Sequence, residues 1–149
     1  MKLLLAVITP KGLRQPEARS LVQMYMKRAT PYLRTELLEL PTEAAFVELL
    51  SKRNGRTAPY AVLGDSRGKA VTSEDLAASI ETAALAGASE WLFGIGPANG
   101  WSSDTLAQAK LTVSFGRITL AHELATVVAA EQMYRALTIR AGHPYHVGH

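Results

Sequence analysis

The chain contains no cysteine among its 149 residues, so neither a disulfide framework nor a thiolate metal site is available to it. That absence suits a reducing, cytoplasmic setting. It also lacks any run near the roughly twenty apolar residues that cross a bilayer, which argues against a membrane partner. The opening MKLLLAVITP has an apolar stretch of only about six residues, short of the roughly seven to fifteen of a signal-peptide core. It reads as a first strand. The chain has no internal repeat and no low-complexity tract.

What is present suffices for one core. With 149 residues and 48% hydrophobic content, a single domain over 1–149 is expected. The formal charge of +3 permits contact with nucleic acid without requiring it. Lys52, Arg53, Arg56, Arg67 and Lys69 cluster, as do Lys27, Arg28 and Arg34. As charge clusters go, these read first as solvated faces.

Apolar periodicity divides the chain into alternating strands and helices. Lys2 to Ile8 is apolar on both faces, as in a buried parallel strand, and Ala18, Leu21, Val22, Tyr25 and Ala29 recur at helical spacing. Thr35 to Leu40 is a short strand, and Ala44 to Leu50 a helix stopped before Asn54 and Gly55. The alternation continues with a strand at Tyr60 to Leu63 and a turn at Gly64 to Gly68. A helix capped by Thr72 or Ser73 then turns Leu76, Ile80 and Ala84 inward and ends at Gly87. Trp91 to Ile95 is a strand, Ser102 to Ala109 a short helix, Leu111 to Phe115 a last strand, and Leu120 to Ala141 a long helix closed by Gly142 and Pro144. This order predicts an α/β domain with a mostly parallel sheet and helices on both faces. Ligands of such sheets gather beyond the carboxyl ends of the strands, where Gly64 to Gly68, Gly94 to Gly100 and Gly116 to Leu120 fall.

The loop FGIGPANG invites a dinucleotide site, but Gly94, Gly96 and Gly100 give G-x-G-x-x-x-G rather than G-x-G-x-x-G. No carboxylate follows about twenty residues on, where Phe115 stands, so a Rossmann cofactor is not expected. Three of the four histidines lie in the tail GHPYHVGH. Imidazoles bind zinc and nickel, yet His143, His146 and His149 have no carboxylate beside them in the tail, and no metal is expected.

Taken together, FGIGPANG, the loop FGRITL, the helix segment Glu131, Gln132, Tyr134, Arg135 and Ala136, and the tail His143 to His146 resemble the ribosomal large subunit methyltransferase H family. Its members have the knotted SPOUT fold, so the resemblance implies a C-terminal trefoil knot. It covers nearly the whole chain, with its specific motifs in the last third. It implies S-adenosyl-L-methionine as cofactor, bound at Gly96, at the loop Phe115, Gly116, Arg117, Ile118, Thr119 and Leu120, and at Leu63. Leu63 precedes a loop one residue longer than the family's L-x-x-x-G-K, which Gly68 and Lys69 complete.

The same resemblance implies a homodimer in which one subunit's tail closes the other's site, with Tyr145 and His146 of the partner subunit lining the target base. The implied substrate is a pseudouridine of 23S ribosomal RNA, methylated at N3 in the assembled ribosome, and not DNA. This chain departs from the family pattern at Pro97, where the second glycine of I-G-G-x-x-G stands, at Ala121 in place of a proline, at Thr126 in place of an arginine, and at Val147 in place of a basic residue. Those departures keep two alternatives open: a dimer of the same fold that binds cofactor or RNA without methylating, and a SPOUT methyltransferase with another RNA target. Helix positions Leu124, Val127, Val128 and Leu137 read as an apolar packing stripe.

Overall fold

The computed structural model describes residues 1–51 and 57–148. The expected stop at Asn54 and Gly55, the basic residues Lys52, Arg53 and Arg56, and His149 fall outside that range. The elements run β1 (Lys2–Ile8), α1 (Pro16–Ala29), β2 (Thr35–Leu40), α2 (Glu43–Leu50), β3 (Tyr60–Ala70), α3 (Ser73–Leu85), β4 (Glu90–Ile95), α4 (Ser103–Leu106), β5 (Leu111–Ser114) and α5 (His122–Ala141). The strands form one sheet in the order β2-β1-β4-β3-β5, parallel at every pairing.

Because side chains alternate across a strand, each central strand feeds two cores. Leu3, Leu5 and Val7 of β1, with Trp91, Phe93 and Ile95 of β4, face α1, α3 and α5. Leu4, Ala6 and Ile8, with Leu92 and Leu63, face Phe46 of α2 and Trp101. Helix α3 starts as its sequence suggests. The Thr72 hydroxyl accepts from Asp75 N at 3.0 Å, and Thr72 N donates to the Asp75 carboxylate at 2.9 Å, so two amides that a helix start leaves unpaired are satisfied. Gly142, with φ of 70°, ends α5 in the left-handed conformation.

Three expectations need correction. The segment Gly64 to Gly68 is not a simple turn: β3 continues to Ala70, and Gly64 and Lys69 both pair with Val113 of β5, so residues 65–68 arch out between them. Turn-forming residues signalled the arch, whereas the resumed pairing depends on a neighbour distant in sequence. The inward face of α3 uses Leu76, Ala77, Ile80 and Ala83, leaving Ala84 only half-buried. Helix α5 does not bury its expected stripe either. Leu137 is buried, but Leu124 is 55% exposed and Val127 and Val128 are half-buried. Instead Thr126, Ala129, Ala130, Met133 and Ala136 face inward, because small residues let α5 settle close between its neighbours.

The path of the last third positions the site. From β4 the chain passes over the α2 face, carrying Trp101 and α4, to β5 at the sheet edge beyond β3. It returns as α5 across the opposite face. The last fifty residues thus encircle β3.

The resumed pairing of β3 depends on close approach. A Cβ on residue 68 would lie 2.6 Å from the Val113 backbone, nearer than real contacts allow. Gly68→Ala is therefore expected to cost about 1–3 kcal/mol, lowering Tm by roughly 3–10 °C in scanning calorimetry. An unchanged Tm would show that β5 yields without penalty.

Candidate functional site

The carboxyl ends of β3, β4 and β5 open into one cleft of about 720 Å³, within the size range of small-molecule sites. Its walls are the β3 arch, the glycine loop through Trp101, the loop after β5, and His122 and Ala125 of α5. The three loops marked in the sequence therefore converge on a single space.

Each wall has a local cause. Trp101 is 3% exposed and packs on Phe46 with ring centroids 4.5 Å apart. Its indole lies so close under Gly96 that a Cβ there would be 2.8 Å from the ring, so residue 96 must be glycine for this packing alone. The indole NH donates to Gly64 O at 3.0 Å, joining the glycine loop to β3. Pro97 accepts from Gly100 N at 2.8 Å, so the proline that departs from the family pattern sits inside a closed turn. On the far wall Phe115 stacks against Phe93, its ring tilted by 10° at 5.8 Å, which anchors the loop from which Gly116 to Leu120 extend.

Two residues contribute that the sequence pattern did not single out. His122 Nε2 lies 2.8 Å from Gly96 O, and since a carbonyl only accepts, Nε2 carries the hydrogen and donates. The first turn of α5 is thereby fastened to the glycine loop. Asp65 forms a two-pronged ion pair with Arg67, at 2.8 Å and 2.9 Å. The Arg67 guanidinium holds the Asp65 carboxyl below its ordinary value, while burial opposes that shift. A histidine opening a helix after a strand-end loop was a usable signal; the ion pair, formed within an arch, was not.

The structure gathers most of the named cofactor positions. Gly96, Phe115, Gly116, Arg117, Ile118, Thr119 and Leu120 all line the cleft. Leu63 does not: it is fully buried on the α2 face, and its successor Gly64 forms the wall instead. Nor do Tyr145 and His146 reach the cleft of their own chain. They dock beside Glu131 and Arg135, roughly 14 Å or more along α5 from His122 at 1.5 Å per residue.

That docking is specific. Tyr145 donates to Glu131 at 3.1 Å and packs on Tyr134, with centroids 4.7 Å apart. Arg135 can only donate, so at 3.0 Å His146 Nδ1 accepts, and Nε2, 2.6 Å from Glu74, donates. Thr126, where the family has arginine, is fully buried and donates to His122 O at 3.0 Å. Among the described residues, no three histidine or carboxylate side chains are grouped to hold a metal ion.

A sheet of this order, with its cleft at β3, β4 and β5, places the chain among proteins of one class. Residues 1–146 match a family described as predicted SPOUT methyltransferase. A solved structure titled as a probable methylase family protein from Haemophilus influenzae Rd KW20 shares the fold, with a TM-score of 0.52 at 7% identity, over 98% of this chain and 68% of that one. Closer in sequence is the ribosomal RNA large subunit methyltransferase H of Koribacter versatilis strain Ellin345, 46% identical over 136 residues, which are 91% of this chain and 92% of the relative. The protein of that name from Deinococcus radiodurans is 40% identical over 133 residues, 88% of this chain and 90% of its own length. The chain belongs to the ribosomal RNA large subunit methyltransferase H family.

Burial first, and the Glu131 hydrogen bond and charge second, push the Tyr145 phenol up to about 12. Because the folded value exceeds the ordinary 10.0, the docked tail's contribution is present in full below pH 10 and lost as pH rises through about 12. In an ultraviolet titration, Glu131→Gln is expected to lower the highest tyrosine pKa while leaving it above 10, since burial persists. No shift would mean that the tail is not docked on α5 in solution.

Proposed function

We propose that this protein transfers a methyl group from S-adenosyl-L-methionine to N3 of a pseudouridine in 23S ribosomal RNA, acting in the cytoplasm on the assembled ribosome. The observation that carries the reading is the convergence of three strand-end loops on one cleft, with seven of the eight family-matched cofactor positions on its walls.

The residues present fit the cofactor. An adenosyl group needs an apolar slot with a few backbone donors and acceptors at its edge. Ile95, Pro97, Ile118 and Leu120 supply apolar surface, and the loop backbones supply the polar edge. No cationic or acidic side chain need bind the base. When bound, the sulfonium supplies an activated methyl group, its S–C bond breaking to leave the neutral thioether S-adenosyl-L-homocysteine. The chain's task is then to align the target nitrogen, exclude water and accept the N3 proton as the new N–C bond forms. The loop from Phe115 to Leu120 lines the slot, and His122 holds the glycine loop at Gly96 O against α5.

Tyr145 and His146 of the partner subunit complete the site in this proposal, because a single protomer keeps its own tail away from its own cleft. The outward face of α5 supports a homodimer: Leu124 is 55% exposed and Val128 half-exposed, which leaves apolar surface there. Tyr145, protonated at neutral pH, presents its ring to an unpaired base and, once its hydroxyl leaves Glu131, a hydrogen-bond donor as well. His146 receives the N3 proton at Nδ1 once that nitrogen leaves Arg135. A target folded within a ribosome also explains how a chain of modest charge finds its nucleotide. We assign the family's trefoil knot to these last fifty residues, a reading supported by family membership and by their passage around the sheet edge from one face to the other.

The test is methyl transfer from labelled S-adenosyl-L-methionine to ribosomes from a strain lacking the native enzyme, with the product nucleoside identified by mass spectrometry. Label in N3-methylpseudouridine is expected. Label in another nucleoside would change the target, and no label from an intact dimer would leave a protein that binds without methylating.

A further inference from the structure

Building on the methyltransferase reading of the cleft, we propose that Asp65 and Arg67 are positioning residues: they bind the β3 arch to the glycine loop and so fix the width of the cofactor slot. The contacts are directional. The Arg67 guanidinium grips the Asp65 carboxylate through Nε and Nη2, and the same Nη2 donates to Trp101 O at 2.7 Å. In return Trp101 N donates to Asp65 Oδ2 at 3.3 Å. With the indole bond to Gly64 O, three hydrogen bonds cross between arch and loop, all converging on Trp101.

The arrangement is asymmetric in burial. The Asp65 carboxylate is 2% exposed, whereas the Arg67 side chain is 53% exposed at the cleft. A carboxylate that deep is costly unless a fixed cation and backbone donors meet it, and here both do, Arg67 N adding a bond at 2.9 Å. The planar fork matters more than the charge, because one rigid guanidinium grips both carboxylate oxygens and the Trp101 carbonyl, an arrangement of three acceptors that a tetrahedral ammonium on a flexible stem does not match. Neither group transfers a proton in the paired state, so their effect passes through the loop that carries Gly96 and Pro97.

The test measures binding of S-adenosylhomocysteine, which cannot react, by calorimetry to the full chain and to Arg67→Ala and Arg67→Lys. Acrylamide quenching of tryptophan in the ligand-free proteins reports the loop, since Trp91 stays buried at 1% exposure. Both variants are expected to bind about tenfold or more weakly, to a similar degree, and to show a newly quenchable tryptophan. With ribosomes as substrate, KM for the methyl donor should rise while kcat changes less than about twofold. Wild-type affinity in Arg67→Lys would overturn the clamp in favour of a simple charge contact. Unchanged affinity and quenching in both variants would overturn it altogether. Absence of binding by the wild-type chain would instead sink the methyltransferase reading.

Discussion

Gly68 lies against the peptide backbone of Val113 at a distance no side chain could share, and from this approach the site is built outward. It lets β3 resume its pairing with β5 at Lys69 after leaving it at Gly64, both opposite the same residue. Residues 65–68 are consequently forced out beyond the strand ends. There Asp65 and Arg67 meet Trp101, and Trp101 in turn fills the space that Gly96 leaves empty. A sheet contact between two backbones thus sets the height of one cleft wall and the attachment of the next.

Helix α5 solves a second constraint, that one element must lie between α1 and α3 and still present a surface outward. Its buried face has the small Thr126, Ala129, Ala130, Ala136 and Thr138, which allow close approach, between the larger Met133, Tyr134 and Leu137. The larger Leu124 and Val128 remain toward solvent, and polar Glu131 and Arg135 receive the tail. The buried Thr126 belongs to this scheme: its hydroxyl is satisfied by His122 O, and the short side chain suits a packed helix better than a guanidinium would. The same helix joins cleft and tail, with His122 on the glycine loop at one end and the tail's contacts farther along.

Element order and type were legible because they follow from periodicity. Two strands, Lys2–Ile8 and Thr35–Leu40, have the bounds read from the sequence, and the cap at Thr72 and the stop at Gly142 act as their residue types suggest. Errors arose where a residue's partner was distant. The arch at 65–68 had turn composition, but its pairing with Val113 depends on a strand more than forty positions away. Where a side chain points was likewise set at a distance: strand alternation turns that of Leu63 to the opposite core, so only its backbone stands near the cleft wall that Gly64 forms. The α5 stripe was apolar, but which side faced the sheet depended on how closely the neighbouring helices approached.

By itself, the sequence determined an alternating α/β chain, the three loops that would stand at strand ends, and the family to which its last third points. These are local properties: periodicity, capping chemistry and short motifs act within a few residues. The tertiary structure decided that the three loops form one cleft, that Asp65, Arg67 and Trp101 join two of its walls, and that Tyr145 and His146 dock away from their own cleft. Strand order and helix packing set those distances, and both arise from burying surfaces far apart in the chain.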